Sequence, residues 1–179
     1  MDMMGKVINI YRDIYNKLSI ENKAIVWFIG ILMLLLLIIP IVRTIVIKSK
    51  IKRLANNVLE INPEEFFKIR NASNGGRGRK HISTSEDFSG VYILYNHTKN
   101  MYYVGQSVKV LRRVNAHFTG HGNGDVYADY KYGNNFTIKM IELQKSGFKT
   151  LNELERHTIK TYNAFSQGYN KNRGNKGWY

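Results

Sequence analysis

The residues AIVWFIGILMLLLLIIPIV, Ala24 to Val42, run for nineteen positions without a charge, an amide or a hydroxyl. As a helix rising about 1.5 Å per residue the run spans roughly 28 Å, the thickness of a bilayer's hydrocarbon core. A chain of 179 residues cannot build a core wide enough to cover such a helix on every side. The run is therefore expected to cross a membrane once, with the spanning segment drawn at 24–47. Trp27 and Phe28 suit an interfacial aromatic anchor, and Pro40 falls where the helix can tolerate it. A cleaved signal peptide fits poorly, because twenty-three residues precede the run and no small-x-small cleavage site follows it. Arg43, Lys48, Lys50, Lys52 and Arg53 crowd the C-terminal flank, whereas Lys6, Arg12, Lys17 and Lys23 are spread over the N-terminal one. The positive-inside rule then predicts a single-pass protein of the cell membrane with its C-terminal part in the cytoplasm.

Before the span, residues 1–23 place Val7, Tyr11, Ile14, Tyr15 and Leu18 at helical spacing. Such an amphipathic segment lies on a bilayer surface or packs against a partner, so residues 1–42 are open to a homo-oligomer or a membrane-protein partner. Residues 48–85 read as a basic stalk and linker. Ile51, Leu54, Val58 and Leu59 continue a helix, Asn62-Pro63-Glu64-Glu65 reads as a capped new helix start, and Asn71–Ser85 is rich in Gly, Asn and Ser. That last stretch carries Arg77, Arg79 and Lys80, as a solvated basic tether would.

Charge narrows the partners. The formal balance of +14 divides into +1 for residues 1–42, +7 for 43–80 and +6 for 81–179. This excess calls for a polyanion, either nucleic acid or an anionic lipid surface. The chain has no Cys, which excludes disulfides, a Cys-type zinc site and thiol catalysis and leaves any metal to oxygen or imidazole ligands.

Residues 86–179 read as a soluble domain. GVYILYN and MYYVGQS flank the turn-former cluster HTKN, a hairpin signal, and Phe136, Ile138 and Met140 alternate in a third strand over Asn135–Glu142. Helical spacing runs from Val108 to Phe118 through Val110, Leu111, Val114 and Phe118, and again from Thr150 through Leu151, Leu154, Thr158, Ile159 and Tyr162. Gly120–Tyr132 reads as a loop. Arg113 and His117, four apart on one helix, share a face and suit a common phosphate, whereas neighbouring Arg112 and Lys109 read as a basic helix surface. His81, His97, His121 and His157 show no metal-ligand spacing.

The order Gly90-Val91-Tyr92, ten residues, Tyr103-Val104-Gly105 resembles the GIY-YIG nuclease family. The resemblance extends over 88–172: Arg113 and His117 stand eight and twelve after the second glycine, Glu155 stands four before Ile159, and Gly168-Tyr169-Asn170 closes the pattern. Val91 and Val104 replace Ile, aliphatic exchanges harmless in strands, and Gln106 stands where some relatives carry Lys. The family resemblance implies an α+β fold, a small antiparallel β-sheet flanked by helices, here preceded by one transmembrane helix. It implies catalytic roles for Tyr92, Tyr103, Arg113, His117, Glu155 and Asn170, with Glu155 as ligand of Mg²⁺ or Mn²⁺, Tyr103 as general base and Tyr92 as its support. Lys109 and Arg112 are expected to contact substrate phosphates.

The expected function is that of a membrane-anchored, metal-dependent endonuclease hydrolysing DNA with low sequence specificity. No helix-turn-helix, zinc finger or long insertion equips it to read base edges. The anchor points to foreign, phage-borne DNA entering the cell. The alternatives are processing of DNA during uptake or conjugation, and a noncatalytic membrane-tethered DNA-binding adaptor.

Overall fold

The computed structural model describes residues 3–72 and 87–175. The chain forms two compact units, Met1–Val46 and Ile47–Tyr179, and the division falls within a helix. In the first unit α1 (Met3–Lys17) has no buried residue. It is followed by α2 (Ile20–Asn56), whose Ser19 hydroxyl accepts from the Asn22 N–H at 3.3 Å. The Trp27 indole N–H donates to the Tyr15 hydroxyl at 2.6 Å. Side chains along the apolar run, from Trp27 to Val42, stand exposed. Among the described residues α2 is the one helix long and apolar enough to cross a membrane. Pro40 removes a helical N–H, and the Thr44 hydroxyl donates to the Pro40 carbonyl at 2.9 Å.

In the second unit the chain continues through the end of α2, α3 (Pro63–Ala72), β1 (Gly90–Asn96), β2 (Met101–Ser107), α4 (Val110–Phe118), α5 (Gly124–Lys131), β3 (Phe136–Glu142), α6 (Leu143–Ser146) and α7 (Leu151–Thr161). The start of α3 is a reciprocal capping box: the Asn62 side chain accepts from the Glu65 N–H at 2.8 Å, and the Glu65 carboxylate accepts from the Asn62 N–H at 2.9 Å. The described residues form a three-stranded antiparallel sheet in the order β2-β1-β3, with Leu94 opposite Tyr103 and Tyr92 opposite Gly105. This is the α+β arrangement the sequence predicts.

β1 lies in the middle, and its alternate side chains enter two separate cores. Tyr92 and Leu94 join Val110, Val114, Phe118, Val126, Phe136 and Ile138 on one face. Val91 and Ile93 join Val104, Ile141, Leu154 and Ile159 on the other, together with Ile51 and Ala55 from α2. A strand buried on both faces needs an almost continuous apolar run, which GVYILYN supplies.

Two segments differ from the sequence reading. Gly120–Tyr132 is not all loop: Asn123 caps α5, its side chain accepting from the Val126 N–H at 3.0 Å, and Val126 is fully buried. The glycines around this short helix mask its single buried contact. The first part of the expected stalk is also built into the fold, since Ile51 and Ala55 are inaccessible and Ile61 exchanges backbone hydrogen bonds with Ile138 at 2.8 and 3.1 Å. The remainder of the expected linker, from residue 73 onward, lies outside the described residues.

Because Ile51 fills the core beneath β1, Ile51→Ala should cost about 2–4 kcal/mol, read as a lowered urea midpoint of the fragment Ile47–Tyr179. A fragment beginning at His81 lacks Ile51, Ala55 and Ile61 and should show no cooperative unfolding transition by circular dichroism.

Candidate active site

The hairpin brings two of the expected tyrosines together, with ring centroids of Tyr92 and Tyr103 6.1 Å apart. The Tyr92 ring lies across Gly105 of the neighbouring strand, and a Cβ at that position would collide with the phenol oxygen. The second glycine of the motif is thus a space requirement of the first tyrosine. Tyr92 is buried, whereas Tyr103 is only partly buried, so Tyr103 is the phenol with access to solvent.

α4 delivers Arg113 and His117 to the same place. The helix is started by a remote carboxylate, since Asp87 accepts from the Leu111 and Arg112 N–H groups at 2.8 and 3.1 Å. His117 is 0 % exposed and lies 2.9 Å from the Tyr92 hydroxyl through Nε2. Its Nδ1 accepts from the Asn123 backbone N–H at 2.8 Å. With the Nδ1 lone pair occupied, the proton of the neutral ring sits on Nε2 and is donated to Tyr92. An imidazolium would turn an Nδ1 proton against the Asn123 N–H. Burial, aided by the Arg113 charge, pushes His117 down to about 4.

Burial raises both phenols, and for Tyr92 the neighbouring Tyr103 adds to the rise; the Arg113 guanidinium opposes it in both. Arg113 itself is exposed. It shares a surface depression of about 420 Å³ with Lys109, Arg112, Asn115 and His121. Lys109 and Arg112 therefore stand beside Arg113, and His121, read as a surface residue, joins them.

Glu155 reaches the same region from α7. It is 8 % exposed, and burial raises its pKa, while hydrogen bonds from Asn175 and Gln106 work against the rise. Its Oε2 accepts from the Gln106 amide at 3.2 Å and the Asn175 N–H at 3.3 Å. The Gln106 amide also donates to Asn152 at 2.5 Å. Both donors to Glu155 are neutral, and it makes no ion pair among the described residues. No group of three or more ligating side chains occurs among them either. A lone buried carboxylate is the donor set of a hard divalent cation that keeps waters and substrate oxygens in its shell, not that of a zinc site.

Asn170 is bonded to the edge strand β2. Its side-chain amide donates to the Val104 carbonyl at 2.7 Å and accepts from the Val104 N–H at 2.9 Å. β2 is an edge strand, and Asn170 imitates the missing neighbour's backbone. The preceding Tyr169 N–H donates to the Tyr102 carbonyl at 2.9 Å, and a Cβ on Gly168 would strike that same carbonyl. The closing Gly-Tyr-Asn is thus a clamp on the edge strand. Asn123, Asn152 and Asn175 escaped the sequence reading. Asn123 and Asn175 act through backbone N–H groups, which no residue type signals; Asn152 alone was accessible, three before Glu155 on one helix face.

Two phenols, a guanidinium, a neutral imidazole and a buried carboxylate are thus gathered around one edge of a small antiparallel sheet. Residues 88–170 match the family model of the GIY-YIG catalytic domain, so this segment of the chain is similar to that family of endonucleases. Nucleases of this family generally depend on a divalent metal. Comparison with curated proteins and with solved structures finds no match for the chain.

The depressed His117 carries a pH signature. Because the folded state holds the ring neutral, the unfolded chain binds the extra proton first, so stability present above pH 6.5 is lost as pH falls toward about 4. The loss amounts to about 3 kcal/mol at most. Urea midpoints of the Ile47–Tyr179 fragment should fall over this window, and His117→Gln should flatten the slope there. Asn170→Ala should cost about 2–3 kcal/mol, because it strands the Val104 N–H and C=O, and Asn170→Asp should not restore the lost stability, since a carboxylate cannot donate to the carbonyl.

Proposed function

We propose that the protein is a membrane-anchored endonuclease that cuts DNA at low sequence specificity using Mg²⁺ or Mn²⁺, with its catalytic domain in the cytoplasm, and that it acts on foreign DNA as it enters the cell. The observation that carries the reading is the convergence of Tyr92, Tyr103, Arg113, His117 and Glu155 on one edge of the sheet.

Glu155 would hold the metal. Bound there, the cation supplies charge for the developing phosphorane and a water of lowered pKa. Arg113 offers a planar fork to a nonbridging phosphate oxygen and keeps its charge at every working pH. Tyr103 is placed to orient the attacking water; only as its phenolate, which the Tyr92 hydrogen bond and the Arg113 charge favour against burial, would it take the water's proton and return to the neutral phenol. His117 holds Tyr92 through Nε2–H and leaves the Tyr92 proton free to point away from the ring. Lys109 and Arg112 provide sequence-independent phosphate contacts. Asn170 acts by occupying the free backbone groups of Val104 on β2.

The apolar helix supplies the anchor, and the cations after it favour the inward orientation. DNA crossing a membrane meets such an enzyme first. A repair or homing nuclease has no need of a bilayer.

With the full chain, Glu155→Ala should abolish metal-dependent nicking of plasmid DNA while leaving salt-sensitive DNA binding within about twofold, since phosphate contacts come from the basic surface. Equal loss of binding would remove Glu155 from the metal site. Arg113→Lys should lower the rate by about 10²-fold despite retaining charge. Protease added to intact protoplasts should spare the catalytic domain and trim only the N-terminal segment. Digestion of Gly90–Asn170 from outside, with a cytoplasmic marker intact, would make the protein a surface nuclease instead.

A further inference from the structure

The face of the sheet opposite the catalytic tyrosines carries a second basic pocket. It has a volume of about 540 Å³ and is lined by Lys48, Lys52, Lys139, Tyr102, Tyr162 and Gln167 among other polar residues. Lys48 and Lys52 are four apart on α2 and present their ammonium groups on one helix face. The cations of that flank divide by task. Lys50 is tied back into the fold, donating to the Gly147 carbonyl at 2.9 Å and lying 4.2 Å from the centroid of the Phe148 ring. Lys139 is paired with Glu60 at 3.2 Å. Lys48 and Lys52 make no ion pair among the described residues, and both open on the pocket.

A pocket with two unpaired ammonium groups wants a phosphate. The rest of its lining, hydroxyls and side-chain amides from Asn56, Asn100, Thr161 and Asn163, wants the hydroxyls or ester oxygens around one. The source of that phosphate is set by position in the chain. Lys48 and Lys52 follow the last residue of the apolar run, Val42, by six and ten residues in the sequence, in the cationic flank that directly succeeds it, and long ammonium side chains of such a flank reach for lipid headgroups. A DNA strand laid in the depression beside Arg113 would be served by side chains of the opposite face. On β2, Tyr103 faces the catalytic core and the adjacent Tyr102 this pocket.

We infer that the pocket between the end of α2, β2, β3 and α7 binds the phosphate headgroup of an anionic glycerophospholipid, with Lys48 and Lys52 as its charge-bearing ligands. The inference rests on the membrane-anchored reading, and the site would make the second unit a reader of the surface in which the chain is anchored.

The test is a titration of the full chain in neutral detergent with short-chain phosphatidylglycerol, followed by native mass spectrometry, alongside flotation of the chain with vesicles of phosphatidylcholine alone. One bound lipid is expected per chain, weakened roughly tenfold or more in Lys48→Gln/Lys52→Gln and by less than about threefold in Arg43→Gln, a neutralisation of the same flank outside the pocket. Equal weakening by Arg43→Gln would reduce the effect to diffuse charge and overturn the site. Equal occupancy by glycerol phosphate, which has no acyl chains, would assign the pocket to a soluble phosphate ester. Displacement of the lipid by a short single-stranded oligonucleotide, sensitive to the same two lysines, would assign it to nucleic acid. Flotation reports separately on the anchor: a chain that binds the short-chain lipid but does not float keeps the headgroup site and loses the membrane span.

Discussion

Everything in the catalytic domain depends on β1 being buried on both faces. A central strand with helices above and below must be apolar at nearly every position, and its neighbours must supply the side chains that cover it. That demand explains why α4 and α5 pack on one side, and why Ile51 and Ala55 from the end of α2 are recruited to the other. It also explains how a tyrosine comes to be buried in the site. Tyr92 occupies an inward position of β1, its body in the core and its hydroxyl at the core's margin, where a hydrogen bond is obligatory.

Once Tyr92 is fixed, its neighbours have little freedom. The ring excludes any side chain at residue 105, and its hydroxyl must be met by His117. Burial then makes a charged His117 costly, and the Asn123 N–H on Nδ1 fixes the tautomer. The loop that supplies this N–H is shaped by its contact with the imidazole, since a Cβ on Gly122 would overlap the ring. His117 thus acts on the site as a fixed neutral donor. The permanent positive charge is left to Arg113, outside the core and facing solvent.

Much of this was legible in the sequence because it rests on side-chain identity at fixed spacing. The two strands, the placement of Tyr92 against Tyr103, and the i,i+4 pair Arg113 and His117 follow from period two and period 3.6. The apolar run and the Asn62–Glu65 cap were legible for the same reason. The missed parts rest on backbone groups or on single contacts. α5 is eight residues long, begins at a glycine and buries only Val126, too little apolar area to register as periodicity. Ile51 and Ala55 were read into a stalk because Lys48, Lys50, Lys52 and Arg53 surround them, although one helix face carries the core contacts and the others the charge. The motif assigns Asn170 a structural tie as much as a catalytic role, and its amide binds the Val104 backbone through both groups.

Gln106 shows what one exchange at the site does to its electrostatics. A Lys at this position would place a cation against Glu155 and hold its carboxylate ionised. A glutamine supplies a hydrogen bond without charge, and burial then prevails, raising the Glu155 pKa above its ordinary value. A buried carboxylate whose hydrogen-bond donors are neutral gains more from a nearby cation than one already paired, because its buried charge is otherwise uncompensated. Glutamine at this position therefore leaves Glu155 without a charged partner among the described residues. The second hydrogen bond, from Gln106 to Asn152, holds the amide in place against Glu155 and so fixes the direction in which that carboxylate faces.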